Sequence, residues 1–186
     1  SMLDLGHPKA AILINRVNNF YGTDWQYYNG PFNSSHSSQH NSGLVISCVD
    51  TLPARRSVWN WVKRTDWWWM DLGNTADQGQ IVLGQGEAIK FGHEKVGRVA
   101  HFFDLYPKLK TGRSKDTGPS CSMQEALLRQ DLFINSTLAN FAGQLLWKWI
   151  REGQLSTQGY FVNLGSGRVS PMPITMATKP QPRKVK

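Results

Sequence analysis

Three residues of this sequence stand where their side chains could do chemistry, and Asp50 is the most informative of them. It closes the apolar, β-branched run "GLVISCVD" that begins at Gly43. In an open parallel sheet, ligands bind beyond the carboxyl ends of the strands, so a carboxylate there can coordinate Mg²⁺ or accept a hydrogen bond from a ribose hydroxyl. Aspartate is also a favoured N-cap, and a helix is predicted from near Pro53. Both interpretations of Asp50 stay open on this pattern.

Lys9 and Cys121 each stand at the start of a predicted helix. A cation in a first turn opposes the helix dipole unless an anion is nearby, so Lys9 is either a phosphate ligand or an exposed helix lysine. Cys121, in "GPSCSMQEAL", precedes its helix by one residue, where the N-terminus would stabilise a thiolate; the alternative is a small buried side chain. Cys48, in mid-strand, is predicted to be core. Asp71, ending the next predicted strand, poses the same choice as Asp50.

The elements around these residues can be predicted from hydrophobic spacing. A helix is expected from His7 to Gly22, with Pro8 in its first turn and Gly22 as its cap. A short edge strand, "DWQYYNG", follows. The runs "GLVISCV", "PARRSVWNWVKR" and "DWWWMDLGN" then predict strand, helix and strand. This order is typical of a βαβ unit whose parallel strands are covered on both faces.

The second half of the chain predicts antiparallel strands around one long helix. "GQIVLGQGEAIKF" alternates like antiparallel strands, and residues 92–119 lose all periodicity, which predicts a flexible crossover segment. The long helix should open at a capping box, Ser122 to Glu125, and close near Gly153. "GYFVNLGSGRVSPMPI" predicts a last hairpin. These patterns place the chain in the α/β class.

Composition restricts the classes of protein to consider. With 186 residues, 40% of them hydrophobic, the chain fits one domain, which we place at residues 3–175, followed by a basic, disordered tail at 176–186. The tail carries four of the eight units of net positive charge, and we do not expect specific nucleic-acid binding. Two cysteines and no membrane-length apolar run predict a cytoplasmic protein without a zinc site.

Four ordered blocks of the sequence, taken together, resemble the second half of a ThiF-type, ubiquitin-activating-like adenylation domain. The similarity is greatest to the PRTRC-system ThiF family of bacterial plasmids and mobile elements, and it covers most of Gly6 to Pro171. The blocks are "GHPKAAILINRVNNFYGTDW", "ISCVDTLPARR", "WWWMDLGNTADQGQIVLG" and "PSCSMQEALLRQDLFINSTLANFAGQLLWKW".

The resemblance implies both a fold and an activity. The fold would be a partial Rossmann-like, three-layer α/β arrangement with a mostly parallel sheet and an added antiparallel hairpin. The activity would be ATP-dependent adenylation of the C-terminal carboxylate of a ubiquitin-like or sulfur-carrier protein, with ATP and Mg²⁺ as cofactors. Lys9 would contact the phosphates, and Asp50 would serve the nucleotide and its Mg²⁺. In several relatives a cysteine before the late helix accepts the activated carboxylate or a sulfur atom, which makes Cys121 a candidate acyl acceptor.

The chain departs from the family pattern in one large respect. The family's N-terminal half, with its glycine-rich first turn, is absent, as are the paired CxxC zinc motifs of many relatives. We therefore expect a homodimer or a complementing N-terminal half to complete an adenylyltransferase. The alternative is a truncated, catalytically silent protein that serves as an interaction or assembly module. A third hypothesis, nucleic-acid binding through the basic segment and tail, has the least support.

Overall fold

The structure, a computed structural model, describes residues 6–32, 43–86, 97–112 and 131–177. The chain divides into two compact units, with the boundary between Asn33 and Ser34. Each unit is described by itself below.

The first unit contains one helix, α1, at Lys9–Tyr21. Pro8 occupies its N-cap, and Gly22 ends it with a φ of 66°, a left-handed conformation that glycine adopts without strain, as the sequence predicts. The prediction of an edge strand at residues 24–30 is wrong, because no strand is assigned there. Its aromatic residues, among them Trp25 and Tyr28, are exposed. An extended segment without a neighbouring strand to pair with does not form a sheet.

The second unit opens with the predicted βαβ unit, which is confirmed. Strand β1 spans Leu44–Ser47, helix α2 spans Leu52–Val62, and strand β2 spans Trp68–Asn74. The two strands are parallel, with Leu44 opposite Trp68. Their carboxyl ends therefore lie at the same edge of the sheet, which is where the sequence placed a ligand site.

Three further strands complete one mixed sheet in the order β1-β2-β3-β4-β5. They are β3 at Gln78–Gln85, β4 at Thr157–Asn163 and β5 at Arg168–Pro173. Between β3 and β4 the described chain forms a short helix α3 at Phe102–Leu105, a 3₁₀ helix at Pro107–Lys110, and the long helix α4 at Ile134–Glu152.

The expectation of a mostly parallel sheet is wrong. Within the sheet described, only β1 and β2 are parallel, and the β2–β3, β3–β4 and β4–β5 pairs are antiparallel. Connection length explains two of these antiparallel pairs. β2 and β3 are joined by three residues, and β4 and β5 are joined by four. A parallel pair needs a crossover of a dozen residues or more. The last hairpin, β4–β5, is confirmed.

Helices cover both faces of the sheet. Successive side chains of a strand point to opposite faces, and alternate residues of β2 and β3 accordingly enter two different cores. Met70 and Ile81 pack beneath α4, whereas Trp69 and Val82 pack with side chains of α2 and α3. The sheet thus separates one layer formed by α4 from a second layer formed by α2 and α3.

Several predictions for the second half fall partly outside the described residues. Residues 97–112 of the proposed crossover segment at 92–119 carry α3 and the 3₁₀ helix, and the remainder lies outside. The capping box at Ser122 to Glu125 also lies outside, as does the proposed tail from residue 178 onward. The long helix itself is confirmed from Ile134, and Gly153 caps it in the left-handed conformation, with a φ of 70°.

Candidate functional site

Asp50 is exposed in the turn between β1 and α2, three residues beyond the end of the strand. The N-cap of α2 is the next residue, Thr51, whose hydroxyl oxygen accepts a hydrogen bond from the Ala54 backbone N–H at 3.3 Å. The interpretation of Asp50 as the helix cap is therefore wrong. Because Thr51 performs the capping, the carboxylate of Asp50 stays available to a ligand at this edge of the sheet.

A cavity of about 270 Å³ lies beside this turn, at the carboxyl ends of the two parallel strands. One wall is helix α4 and the other is the ends of β1 and β2. The lining residues are Cys48, Val49, Leu72, Gly73, Asn74, Asn135, Leu138 and Ala139. None of these lining side chains carries a formal charge, and two of them, Asn74 and Asn135, are amides.

Cys48 is exposed, so its prediction as a core residue is wrong. Cys48 follows the end of β1 by one residue. Within β1, Ile46 is exposed as well, at 50%, because helix α4 packs chiefly on β2, β3 and β4. Partial burial, and secondly the negative charge of Asp71, raise the pKa of the Cys48 thiol. A thiol with a raised pKa is a weak nucleophile at neutral pH, so Cys48 lacks the features of an activated cysteine.

Behind the turn lies a buried polar cluster that the sequence did not predict. Asp71 is fully buried, and its Oδ1 accepts hydrogen bonds from the Arg55 Nε–H and from the Ser47 hydroxyl, both at 2.8 Å. The Trp69 indole N–H donates in turn to the Ser47 oxygen at 2.8 Å. Arg55 is itself only 8% exposed. The cluster joins the first turn of α2 to the neighbouring strands β1 and β2.

Burial disfavours the charged form of Asp71, whereas its partners Arg55 and Ser47 favour that form. Desolvation by burial is the largest influence and raises the pKa of Asp71, while the charge and hydrogen bond of Arg55 and the hydrogen bond of Ser47 lower it; the net direction is upward. The second oxygen, Oδ2, makes no hydrogen bond within the part of the chain that the structure describes. Asp71 is therefore a buried ion-pair partner and does not face the open edge as Asp50 does.

The signal that could have found this cluster is a charge inside an apolar strand. The run "WWWMDLG" places Asp71 between Met70 and Leu72, and a buried carboxylate needs a cationic partner. The strand was predicted to end at Asp71, whereas β2 continues to Asn74. That error in the strand boundary made Asp71 look like a residue of the strand end.

The other two candidate residues belong to other parts of the sequence. Lys9 is exposed and is the first residue of α1, where the structure places no acidic residue in the first turn and no side-chain cap. It belongs to the first unit, and Asp50 belongs to the second. Cys121 lies outside the described residues, so its proposed position before a helix stays a prediction.

A second ionic cluster involves Asp104 in the first turn of α3. The two carboxylate oxygens accept hydrogen bonds from the Arg98 guanidinium at 2.6 and 3.0 Å, and His101 Nδ1 lies 3.2 Å from Oδ2. Lys110 Nζ lies 3.8 Å from Oδ1. Burial is the largest single influence on Asp104 and would raise its pKa, but Arg98 and His101 together outweigh it and lower the pKa. These contacts tie α3 to the segment before it and to the 3₁₀ helix after it.

The described residues include no group of three or more His, Cys, Asp or Glu side chains that could hold a metal ion. Mg²⁺ nevertheless fits Asp50, because this ion is commonly bound by one or two carboxylates together with substrate phosphates and water.

No helix of the described chain is long and apolar enough to cross a membrane. Comparison with known proteins found no matching family model and no matching curated protein.

Proposed function

We propose that this chain binds Mg-ATP and contributes to adenylation of the C-terminal carboxylate of a ubiquitin-like or sulfur-carrier protein. The observation that carries the proposal is the exposed Asp50 at the carboxyl end of the parallel β1–β2 pair, beside a cavity and released from helix capping by Thr51. The β1-α2-β2 unit would be the Rossmann-like portion of the fold. The resemblance of the four sequence blocks to ThiF-type domains supplies the reaction.

Each residue of this proposal has a distinct role. Asp50 would hold the Mg²⁺ of the nucleotide, and the bound ion would neutralise charge on the phosphate oxygens. Lys9 would contact the phosphates, as the resemblance implies. The carboxylate of the carrier protein would attack the α-phosphorus, and pyrophosphate would leave. In a following step the thiolate of Cys121 would attack the acyl carbon of the adenylate, which would form a thioester and release AMP.

The proposed partners follow from the same site. A ubiquitin-like or sulfur-carrier protein would supply the carboxylate, and a complementing N-terminal half would supply the glycine-rich phosphate loop. A second copy of the chain is the other proposed partner, as a homodimer. The cytoplasm, where ATP is abundant, is the proposed location.

The test is isothermal titration of the purified chain with Mg-ATP. Asp50→Ala should weaken binding about tenfold or more, the loss expected for removal of one charged contact to a metal or phosphate. Asp66→Ala is a matched control, because Asp66 is also exposed but precedes β2, at the opposite end of the sheet. Equal affinities for wild type and Asp50→Ala would contradict the proposal, as would equal losses in both variants.

A second candidate function is a catalytically silent interaction module. It is favoured by the large apolar side chains exposed near and along α4, namely Leu132, Phe133, Trp147 and Ile150. Exposed apolar surface of this kind often marks a protein contact. Light scattering tests self-association, and a pull-down tests capture of other proteins. A monodisperse monomer at high concentration that captures no other protein would argue against this candidate.

A further inference from the structure

Arg55 connects three parts of the structure that meet behind the candidate site. Its Cα belongs to the first turn of α2, and its Nε–H donates to Asp71 on β2 at 2.8 Å. Its terminal Nη2 donates to the carbonyl oxygen of Val49 at 3.0 Å and to that of Leu72 at 3.4 Å. One side chain thus links the helix, the segment after β1, and β2.

The contact to Val49 matters because this carbonyl belongs to the peptide group that precedes Asp50. A peptide group is planar, so fixing the Val49 oxygen also fixes the direction of the Asp50 N–H and the axis about which Asp50 turns. On the other side of Asp50, the Thr51 side chain holds the backbone N–H of Ala54. The exposed carboxylate of Asp50 therefore projects from a backbone that is held on both sides.

The guanidinium suits this position better than an ammonium group would. Its donors lie in one plane, so Nε–H and Nη2–H can reach a carboxylate and two carbonyls at once, which a lysine cannot reproduce. The plane is supported by the ring of Phe102, whose centroid lies 4.8 Å from the guanidinium carbon. At Gly73 a Cβ would come within 2.7 Å of Arg55 Nη2, so the absence of a side chain there leaves room for the arginine.

We propose that Arg55, held in place by Asp71, is a positioning residue that orients the Asp50 carboxylate toward the metal of a bound Mg-nucleotide. This inference rests on the proposed function. Arg55 itself is buried behind the turn and does not need to touch the nucleotide. Its effect would be transmitted through the Val49 carbonyl, as outer residues orient the ligands of other metal sites.

Titration with ATP in the presence of Mg²⁺ and, separately, in the presence of EDTA tests this inference. Arg55→Lys should weaken binding of Mg-ATP about tenfold, in the range found for residues that support a metal ligand. It should leave the affinity for metal-free ATP unchanged, because that ligand does not use Asp50. A purely structural role would weaken both equally. Circular dichroism and thermal melting of each variant establish that the fold is retained.

A double-mutant cycle separates this inference from the proposed function. If Arg55 acts through Asp50, adding Arg55→Lys to Asp50→Ala should cause no further loss of Mg-ATP affinity. Additive losses, or no effect of Arg55→Lys where Asp50→Ala is effective, would overturn the inference and leave the proposed function standing. No binding of Mg-ATP by wild type, or no effect of Asp50→Ala, would remove both.

A second variant covers the case in which Arg55→Lys does not fold. Gly73→Ala keeps both charges of the ion pair but crowds Arg55 Nη2 away from its carbonyl partners. Gly73 also lines the cavity, and a direct effect of the new Cβ there would weaken both ligands alike. Gly73→Ala should therefore lower the affinity for Mg-ATP more than the affinity for ATP in EDTA. An unchanged affinity for Mg-ATP in a folded Gly73→Ala protein would contradict the role of Arg55.

Discussion

Asp71 and Asp104 are both carboxylates paired with an arginine, yet their pKa values are displaced in opposite directions. Asp71 has a side chain with 0% exposure, receives bonds from Arg55 and Ser47 on one oxygen only, and has a raised pKa. Asp104 is 17% exposed, receives the Arg98 guanidinium on both oxygens, and has a lowered pKa. Burial is the largest influence on both, and only at Asp104 do the partners outweigh it.

From this contrast we expect the more deeply buried pair to contribute less to stability. Removing two charges from water carries a large penalty, and a single charge-assisted contact on one oxygen does not offset it fully. The Arg55–Asp71 pair therefore contributes more to geometry than to stability, which suits a cluster beside a candidate site. The Asp104 cluster, with access to water and with several donors, stabilises the α3 region directly.

The largest expected effect comes from breaking each pair by removing its arginine. Arg55→Met should lower the free energy of unfolding by about 3–5 kcal/mol, because it leaves Asp71 buried without a counter-ion. Arg98→Met should lower it by roughly 1–2 kcal/mol, since Asp104 keeps His101 and Lys110 nearby and can be hydrated. Urea denaturation followed by tryptophan fluorescence measures both. Equal losses in the two variants would show that the contrast in burial has no energetic consequence.

A smaller effect is expected from crowding the buried pair without removing a charge. Gly73→Ala should destabilise the protein by about 1–3 kcal/mol, because the new Cβ would lie 2.7 Å from Arg55 Nη2. Gly143→Ala is the control, since Gly143 lies within α4 and a Cβ there would meet no atom within 4 Å. Alanine is a better helix former than glycine by about 1 kcal/mol, so this variant should be more stable than wild type. If Gly73→Ala had the same free energy of unfolding as wild type, Arg55 would be able to move away from the new Cβ without cost.

The smallest effect is a difference in pH dependence, at most about 1.4 kcal/mol per pH unit for each carboxyl group. The pKa of Asp104 in the folded state is below its ordinary value of 3.8, so its contribution is present above that pH and is lost as the pH falls through the lowered pKa. The pKa of Asp71 is above 3.8, so its contribution is greatest at acid pH and is lost as the pH rises through the raised pKa.

Substitution by asparagine distinguishes these two contributions. Asp104→Asn should reduce the loss of stability that wild type shows as the pH falls below about 4. Asp71→Asn should act above about pH 4, where it removes the loss of stability that Asp71 causes as the pH rises toward its raised pKa. Denaturation curves between pH 3 and 7 give the slopes. If the two variants changed the slope in the same direction, the opposite pKa displacements would be wrong.

Part of this candidate site could be predicted from sequence because it depends on residues that are close together along the chain. The β1-α2-β2 unit, the position of Asp50 after its strand, and the capping glycines of α1 and α4 follow from periodicity and turn chemistry, which act over a few residues. The Arg55–Asp71 pair could not be predicted in this way. Its members are 16 positions apart, and they meet only because β2 lies beside β1 beneath α2.

The amino-acid pattern was sufficient to predict an α/β chain, the parallel β1–β2 pair, and an aspartate at the carboxyl end of that pair. Three features became visible in the folded chain alone: the other strands are antiparallel, Thr51 and not Asp50 caps α2, and Cys48 is exposed while Asp71 is buried. The physical reason is that strand pairing and burial depend on contacts between distant segments. Hydrophobic patterns record which side chains avoid water, but not which neighbours cover them.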